Sequence, residues 1–150
     1  MGRNAKILVV DDDENIRKTI KTILEDEGYI VDIAATGNEA IEKTEKTAFN
    51  LALLDIRLPD MEGVELLKRM KEAVPRTRKI MVTGYPSMQN AIAALNKNAD
   101  AYLVKPVNVE KLLNTVKEQL DSQEEERAFS ESKVAEFIET RVKELSIDPE

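Results

Sequence analysis

The feature that most limits what this chain can become is an alternation. Five short apolar runs occur, at Ile7–Val10, Tyr29–Ala34, Leu51–Leu54, Ile80–Val82 and Ala101–Val104. Between and after them lie segments with helical spacing. Ile16, Ile20, Ile23 and Leu24 share one helical face, as do Val64, Leu67, Met70 and Val74. Met88, Ala91, Ile92 and Leu95 repeat the pattern, and so do Val109, Leu112, Leu113, Val116 and Leu120. A weaker segment around Ala40 and Ile41 fits a short helix. The order is strand then helix, five times. Ile7–Val10 and Leu51–Leu54 are continuously apolar, as strands are when both faces of a parallel sheet are covered. Right-handed crossovers then predict an α/β, doubly wound layout with helices on both faces. Gly28, after the first amphipathic run, is expected just past a helix end.

In such a sheet the working crevice lies beyond the carboxyl ends of the strands. Strand one runs out into Asp11, Asp12 and Asp13. Strand three ends at Asp55. Strand four ends at Thr83 and Gly84, and strand five at Lys105 and Pro106. Each alone is ordinary: three aspartates can cap a helix, and a threonine or lysine can begin a loop. Together they place carboxylates, a hydroxyl and an ammonium on one predicted edge.

Composition narrows the chemistry. The 150 residues include no cysteine and no histidine. Disulfides, zinc sites, cysteine nucleophiles and Ser-His relays are excluded, as is a phosphoacceptor histidine. Three close carboxylates repel, and one must take up a proton unless a cation compensates. Lys105 is a single monovalent charge. Oxygen ligands without histidine or sulfur select magnesium, or manganese, over zinc. A hydrated magnesium beside a hydroxyl and an ammonium suits a phosphoryl group. Asp55 is then the candidate nucleophile, because a carboxylate can become an acyl phosphate.

At these residues the sequence resembles a response-regulator receiver domain over roughly residues 5–120. The resemblance rests on Ile7-Leu8-Val9-Val10-Asp11-Asp12 and on Asp55-Ile56-Arg57-Leu58-Pro59-Asp60-Met61-Glu62-Gly63. It rests also on Val82-Thr83-Gly84 and on Ala101-Tyr102-Leu103-Val104-Lys105-Pro106. It implies a flavodoxin-like three-layer sandwich with sheet order 2-1-3-4-5. It implies that Asp55 accepts a phosphoryl group from a sensor histidine kinase or phosphotransfer protein. Asp12 and Asp55 would ligate magnesium directly, Asp11 mainly through water, and Arg57 through its backbone carbonyl. Thr83 and Lys105 would contact phosphoryl oxygens, and Lys105-Pro106 would be cis. Thr83 and Tyr102 would form the switch, signalling to a downstream protein through the face of the fourth helix, fifth strand and fifth helix. Gly63 is expected to be structural, and Asp13 to serve as a first-turn acid of the first helix. Arg57 and Tyr85 sit where the family tunes acyl-phosphate lifetime. Such a domain takes up and loses its own phosphoryl group but turns over no diffusible substrate, so no enzyme is expected.

Rival readings fit less well. A haloacid-dehalogenase-type hydrolase wants Asp-x-Asp-x-Thr/Val after strand one, and Asp11-Asp12-Asp13-Glu14-Asn15 lacks the last residue. A flavin module would have its phosphate repelled by the same aspartates. A receiver-like adaptor that is never phosphorylated has no need of the Asp55, Thr83 and Lys105 set.

The formal charge of −7 is uneven. Residues 1–120 are nearly neutral, with 18 basic and 19 acidic groups, whereas residues 121–150 carry 4 and 10. A boundary near Asp121-Ser122-Gln123 follows, dividing a receiver domain at 1–120 from an acidic, helical tail at 121–150. The tail repels phosphate backbones, which argues against nucleic-acid binding. Its Val134, Phe137, Ile138, Arg141, Val142 and Leu145 lie at helical or heptad-like steps. They can serve a solvated or folded-back helix, a homodimer or partner-binding helix, or a linker. No apolar run approaches a membrane span or a signal peptide, and Lys6 breaks the myristoylation pattern begun by Gly2. A cytoplasmic protein with no membrane partner is the expectation.

Overall fold

The computed structural model describes residues 4–84 and 99–147. A five-stranded parallel sheet runs β1 (Lys6–Val10), β2 (Ile30–Ala34), β3 (Leu51–Asp55), β4 (Arg78–Thr83) and β5 (Ala101–Val104). The strand order is β2-β1-β3-β4-β5. Ile7 pairs with Val31 on one side and Leu51 on the other, and Leu53 pairs with Ile80. β1, β3 and β4 are buried almost throughout, as their unbroken apolar runs require.

Four helices are described: α1 (Glu14–Asp26), α2 (Gly37–Lys46), α3 (Gly63–Arg69) and α4 (Val109–Ile147). The predicted helix containing Met88 to Leu95 lies outside the described residues, as does Tyr85. Two apolar clusters cover the two sheet faces. Leu8, Val10, Ala52 and Leu54 pack with Ala40, Leu66, Leu67 and Met70 under α2 and α3. Ile7, Val9, Leu51 and Leu53 pack with Ile20, Leu24, Leu112 and Val116 under α1 and α4. Successive residues of one strand feed opposite clusters, which is the period-two rule at work.

Local signals set the helix ends. Asp13 is the N-cap of α1, accepting from the Asn15 and Ile16 amides at 2.9 and 3.1 Å. It therefore stands just before the first turn, and Glu14 is the first-turn acid. Gly28 ends α1 at φ 95°. Its N–H donates to the Glu25 carbonyl and the Tyr29 N–H to the Leu24 carbonyl, the paired bonds of a left-handed helix stop. Thr36 and Glu39 cap α2 reciprocally, through Glu39 N–H to Thr36 Oγ1 and Ala35 N–H to Glu39 Oε1.

Two sequence expectations need correction. Val74 does not extend the face of Val64, Leu67 and Met70, because α3 stops at Arg69 and Val74 is 97% exposed. Pro75 disfavours helix at the residue before it. β4 begins at Arg78, two residues before its apolar run, and buries Arg78 and Lys79. The charge change near Asp121-Ser122-Gln123 falls inside α4, which crosses it without a break.

Candidate functional site

The carboxyl ends of β1, β3, β4 and β5 open into a cleft of about 540 Å³. Asp11, Asp12, Asp13, Asp55, Arg57, Gly84 and Lys105 line it. Asp11 leaves β1 buried, and its Oδ1 accepts the Asp13 N–H at 2.9 Å. The Arg17 guanidinium donates to the Asp11 carbonyl at 2.7 Å, fixing the turn from the α1 side. Asp12 is exposed at the rim. Asp55 is buried at the end of β3 and accepts the Arg57 N–H at 3.3 Å. Thr83 is fully buried, and its carbonyl accepts the Lys105 N–H at 2.7 Å, tying β4 to the turn after β5.

Lys105 joins the acids. Its Nζ lies 2.9 Å from Asp11 Oδ2 and 3.1 Å from Asp55 Oδ2. Carboxylate oxygens of Asp11, Asp12 and Asp55 lie within 4.8 Å of one another. The Lys105 ammonium thus pairs with two of three clustered carboxylates. Burial, and then the neighbouring Asp11 charge, push the Asp55 carboxyl above its ordinary range, and Lys105 only partly offsets them. Burial also works against the Lys105 ammonium, yet Asp11 and Asp55 outweigh it and hold the amine above its usual value. The donor set is all oxygen and under-compensated, which fits a hard divalent cation such as magnesium.

The segment 56–63 walls the cleft and is tightly closed. The Ile56 N–H donates to the Val82 carbonyl, the Leu58 N–H to Met61, and the Gly63 N–H to Ile56. A side chain at Gly63 would place its Cβ 2.4 Å from the Asp55 carbonyl oxygen and 2.7 Å from Met81 Cε. Only glycine lets α3 start this close to β3. Asp60, from the same segment, receives the Gly37 and Asn38 amides at 2.9 Å each. Those two bonds hold its carboxyl below the ordinary range. This tie from the cleft wall to α2 was missed in the sequence. The partners lie more than twenty residues apart, and an aspartate after a proline reads as an ordinary turn residue.

Lys105-Pro106 is a cis peptide, as is Val74-Pro75. Tyr102, on the edge strand β5, is 42% exposed, while Thr83 is buried. Beside the cleft, a groove of about 290 Å³ between α1 and the start of α4 is lined by Ile16, Ile20 and Val109 and shares Lys105 with the cleft.

Comparison with known proteins adds a family. A family model described as the response regulator receiver domain matches residues 7–117. The transcriptional regulatory protein ZraR of Klebsiella oxytoca is 39% identical over 119 residues, covering 79% of this chain but 27% of its own length. The chain spans about a quarter to a half of the length of the curated relatives it matches. Among solved structures, a CheY-like receiver domain from Methanospirillum hungatei is 54% identical with a TM-score of 0.75, covering 82% of this chain and 98% of that one. The Thermotoga maritima regulator TrrA, solved in complex with Mg(2+)-BeF, is 34% identical with a TM-score of 0.69, covering 77% and 98%.

Proposed function

The chain belongs to the response-regulator receiver family, and on that premise we propose that Asp55 accepts a phosphoryl group in a magnesium-dependent reaction. The observation that carries this reading is the charge mismatch: carboxylate oxygens of Asp11, Asp12 and Asp55 lie within 4.8 Å of one another, and the Lys105 ammonium pairs with two of the three. The donor is a phosphohistidine on a sensor kinase or phosphotransfer protein. An Asp55 oxygen attacks phosphorus, an acyl phosphate bond forms, and the P–N bond breaks with its electron pair going to the imidazole nitrogen. Asp11, Asp12, Asp55 and the Arg57 carbonyl would hold magnesium or manganese, which would supply positive charge against the transferring oxygens. Lys105, already bonded to Asp55, is in reach of a new phosphoryl oxygen, and Thr83 can present its hydroxyl to another. The apolar groove beside the cleft gives a protein donor a dry surface on which to seat.

Phosphorylation adds charge and acceptor oxygens at Asp55. As Thr83 turns toward them, the half-exposed Tyr102 swings inward and the β5 face changes shape for a downstream protein partner. Moving a 1:99 population to 99:1 needs ~5.5 kcal/mol. Residues 1–120 do this work as the receiver unit, in the cytoplasm, with uptake and loss of the phosphoryl group self-catalysed.

Incubation with a small phosphodonor and magnesium, followed by intact-mass analysis and peptide mapping, tests the reading. One added phosphoryl group on Asp55, abolished by chelator, is expected. Labelling elsewhere, or labelling that ignores chelator, defeats it.

A further inference from the structure

The acidic cleft does not account for the far half of α4. Leu112, Val116, Leu120 and Gln123 on one face of this helix are buried against the sheet. The last tie to the body is Glu126, whose Oε1 accepts from Arg78 at 2.6 Å. At 100° per residue the same face continues through Val134, Ile138 and Leu145. These three are 55–77% exposed, and Phe137 and Val142 beside them are exposed as well. A face that serves as core up to residue 123 thus continues as an apolar stripe beyond the body. At the start of this segment Arg127 pairs with both Glu124 and Glu131.

We propose that this stripe is covered by a second copy of the same chain, in an antiparallel helix pair whose two-fold axis passes at the level of Glu136. Three observations select this occupant and this direction. The first is spacing: Glu131, Val134, Ile138, Arg141 and Leu145 follow steps of three and four residues, the seam of a two-helix coil. The second is charge. Antiparallel pairing about residue 136 sets Glu131 against the partner's Arg141 and Val134 against the partner's Ile138. Parallel pairing in register opposes glutamate to glutamate and arginine to arginine, which is unfavourable within a seam. The third is length. About residue 136, the last docked residue, Glu126, falls opposite position 146 of the partner, so the overlap uses residues 127–145. That is about 28 Å of helix, with the two receiver bodies at opposite ends.

A hollow supports the same register. About 490 Å³ in size, it lies between the Val74-Pro75 turn and α4, beside Arg127 and Glu131. Val74 stands almost fully exposed at its edge. The partner's Leu145 comes opposite Arg127 and fills this hollow, which no described part of its own chain occupies. The inference concerns α4 alone and stands or falls apart from the phosphoryl chemistry.

The test is the oligomeric state of the full chain by sedimentation velocity between about 1 μM and about 1 mM. A concentration-dependent dimer is expected. Arg141→Glu and Glu131→Arg should each weaken it at least tenfold, and the double exchange should restore it to within about threefold. Helicity by circular dichroism checks that the variants fold. Because the chain has no cysteine, single thiols report direction. Ala135→Cys should cross-link to its own copy far faster than Ile138→Cys, and a parallel pair would reverse that order. A monomer throughout the range, single exchanges without effect, a double exchange that fails to restore the dimer, or the reversed cross-linking order overturns the proposal.

Discussion

Two clusters of charge sit at opposite ends of the same sheet. At the carboxyl ends, Asp11 and Asp55 share Lys105, with the Asp12 carboxylate close beside them. At the amino ends, Asp100 takes a two-pronged pair from Arg76 at 2.8 and 3.0 Å and the Lys79 N–H at 2.8 Å. Arg78 reaches from Asp100 to Glu126. Both clusters bury a carboxylate at a strand terminus, yet the two acids move oppositely. Burial pushes both upward. For Asp55 the nearby Asp11 adds to it, so the carboxyl stays above its ordinary range. For Asp100 the Arg76 fork and the Lys79 amide overcome it, so the carboxyl lies below. Arginines and acids balance at one end, and negative charge is in excess at the other. A balanced cluster holds structure together. An unbalanced one is held in waiting for a ligand of the missing sign.

The largest contrast lies in chemistry. Asp55→Asn should abolish phosphoryl labelling, whereas Asp100→Ala should leave its extent unchanged, both read by intact mass. Labelling lost in both variants would erase the distinction between the clusters. Next comes stability. Asp100→Ala removes the Arg76 pair and the acceptor of the Lys79 N–H and should cost about 1–3 kcal/mol in urea unfolding. Asp55→Asn removes an under-compensated charge and should raise stability by on the order of 1 kcal/mol at neutral pH. Magnesium sharpens the difference. At ten times its Kd it should stabilise the wild type by about 1.4 kcal/mol, and Asp55→Asn by much less.

The smallest effect is in pH dependence. A raised native carboxyl binds its proton more tightly than the unfolded chain does. The Asp55 contribution therefore weakens the fold as pH climbs from 3.8 through the native titration. Asp100, depressed, contributes above 3.8 and loses that contribution as pH drops through its native titration. The melting advantage of Asp55→Asn should shrink to nothing at about pH 3.8 and below, and that of wild type over Asp100→Ala should fade only at more acid pH. Parallel pH profiles for the two variants would show that the clusters are alike after all.

Sequence patterns carried the functional end of the sheet better than the structural end. Parallel strands announce themselves as unbroken apolar runs, and their order fixes which termini are neighbours. Asp11, Asp55 and Lys105 follow such runs directly, so their meeting could be expected. Arg76, Arg78, Asp100 and Gln123 follow no pattern. Arg78 and Lys79 read as surface charge before a strand, and nothing local to Asp100 points to Arg76. The end of α3 was also hidden, because Val74 keeps helical spacing and only the neighbouring Pro75 tells against it. The charge shift near residue 121 described which side chains meet water and said nothing of where the backbone stops being helical.

Gln123 has a mechanical consequence. Its amide nitrogen donates to the Asn50 and Arg76 carbonyls at 2.8 Å each, and its oxygen accepts from Asn50 Nδ2 at 3.1 Å. With Arg78 gripping Glu126 one turn on, this makes a clamped pivot, and the remaining 21 residues of α4 form a lever arm of ~31 Å. A tilt of ~2° at the pivot carries the tip through ~1 Å, as the rise per residue dictates. Displacements too small to repack a core are thereby magnified at the far tip of the rod.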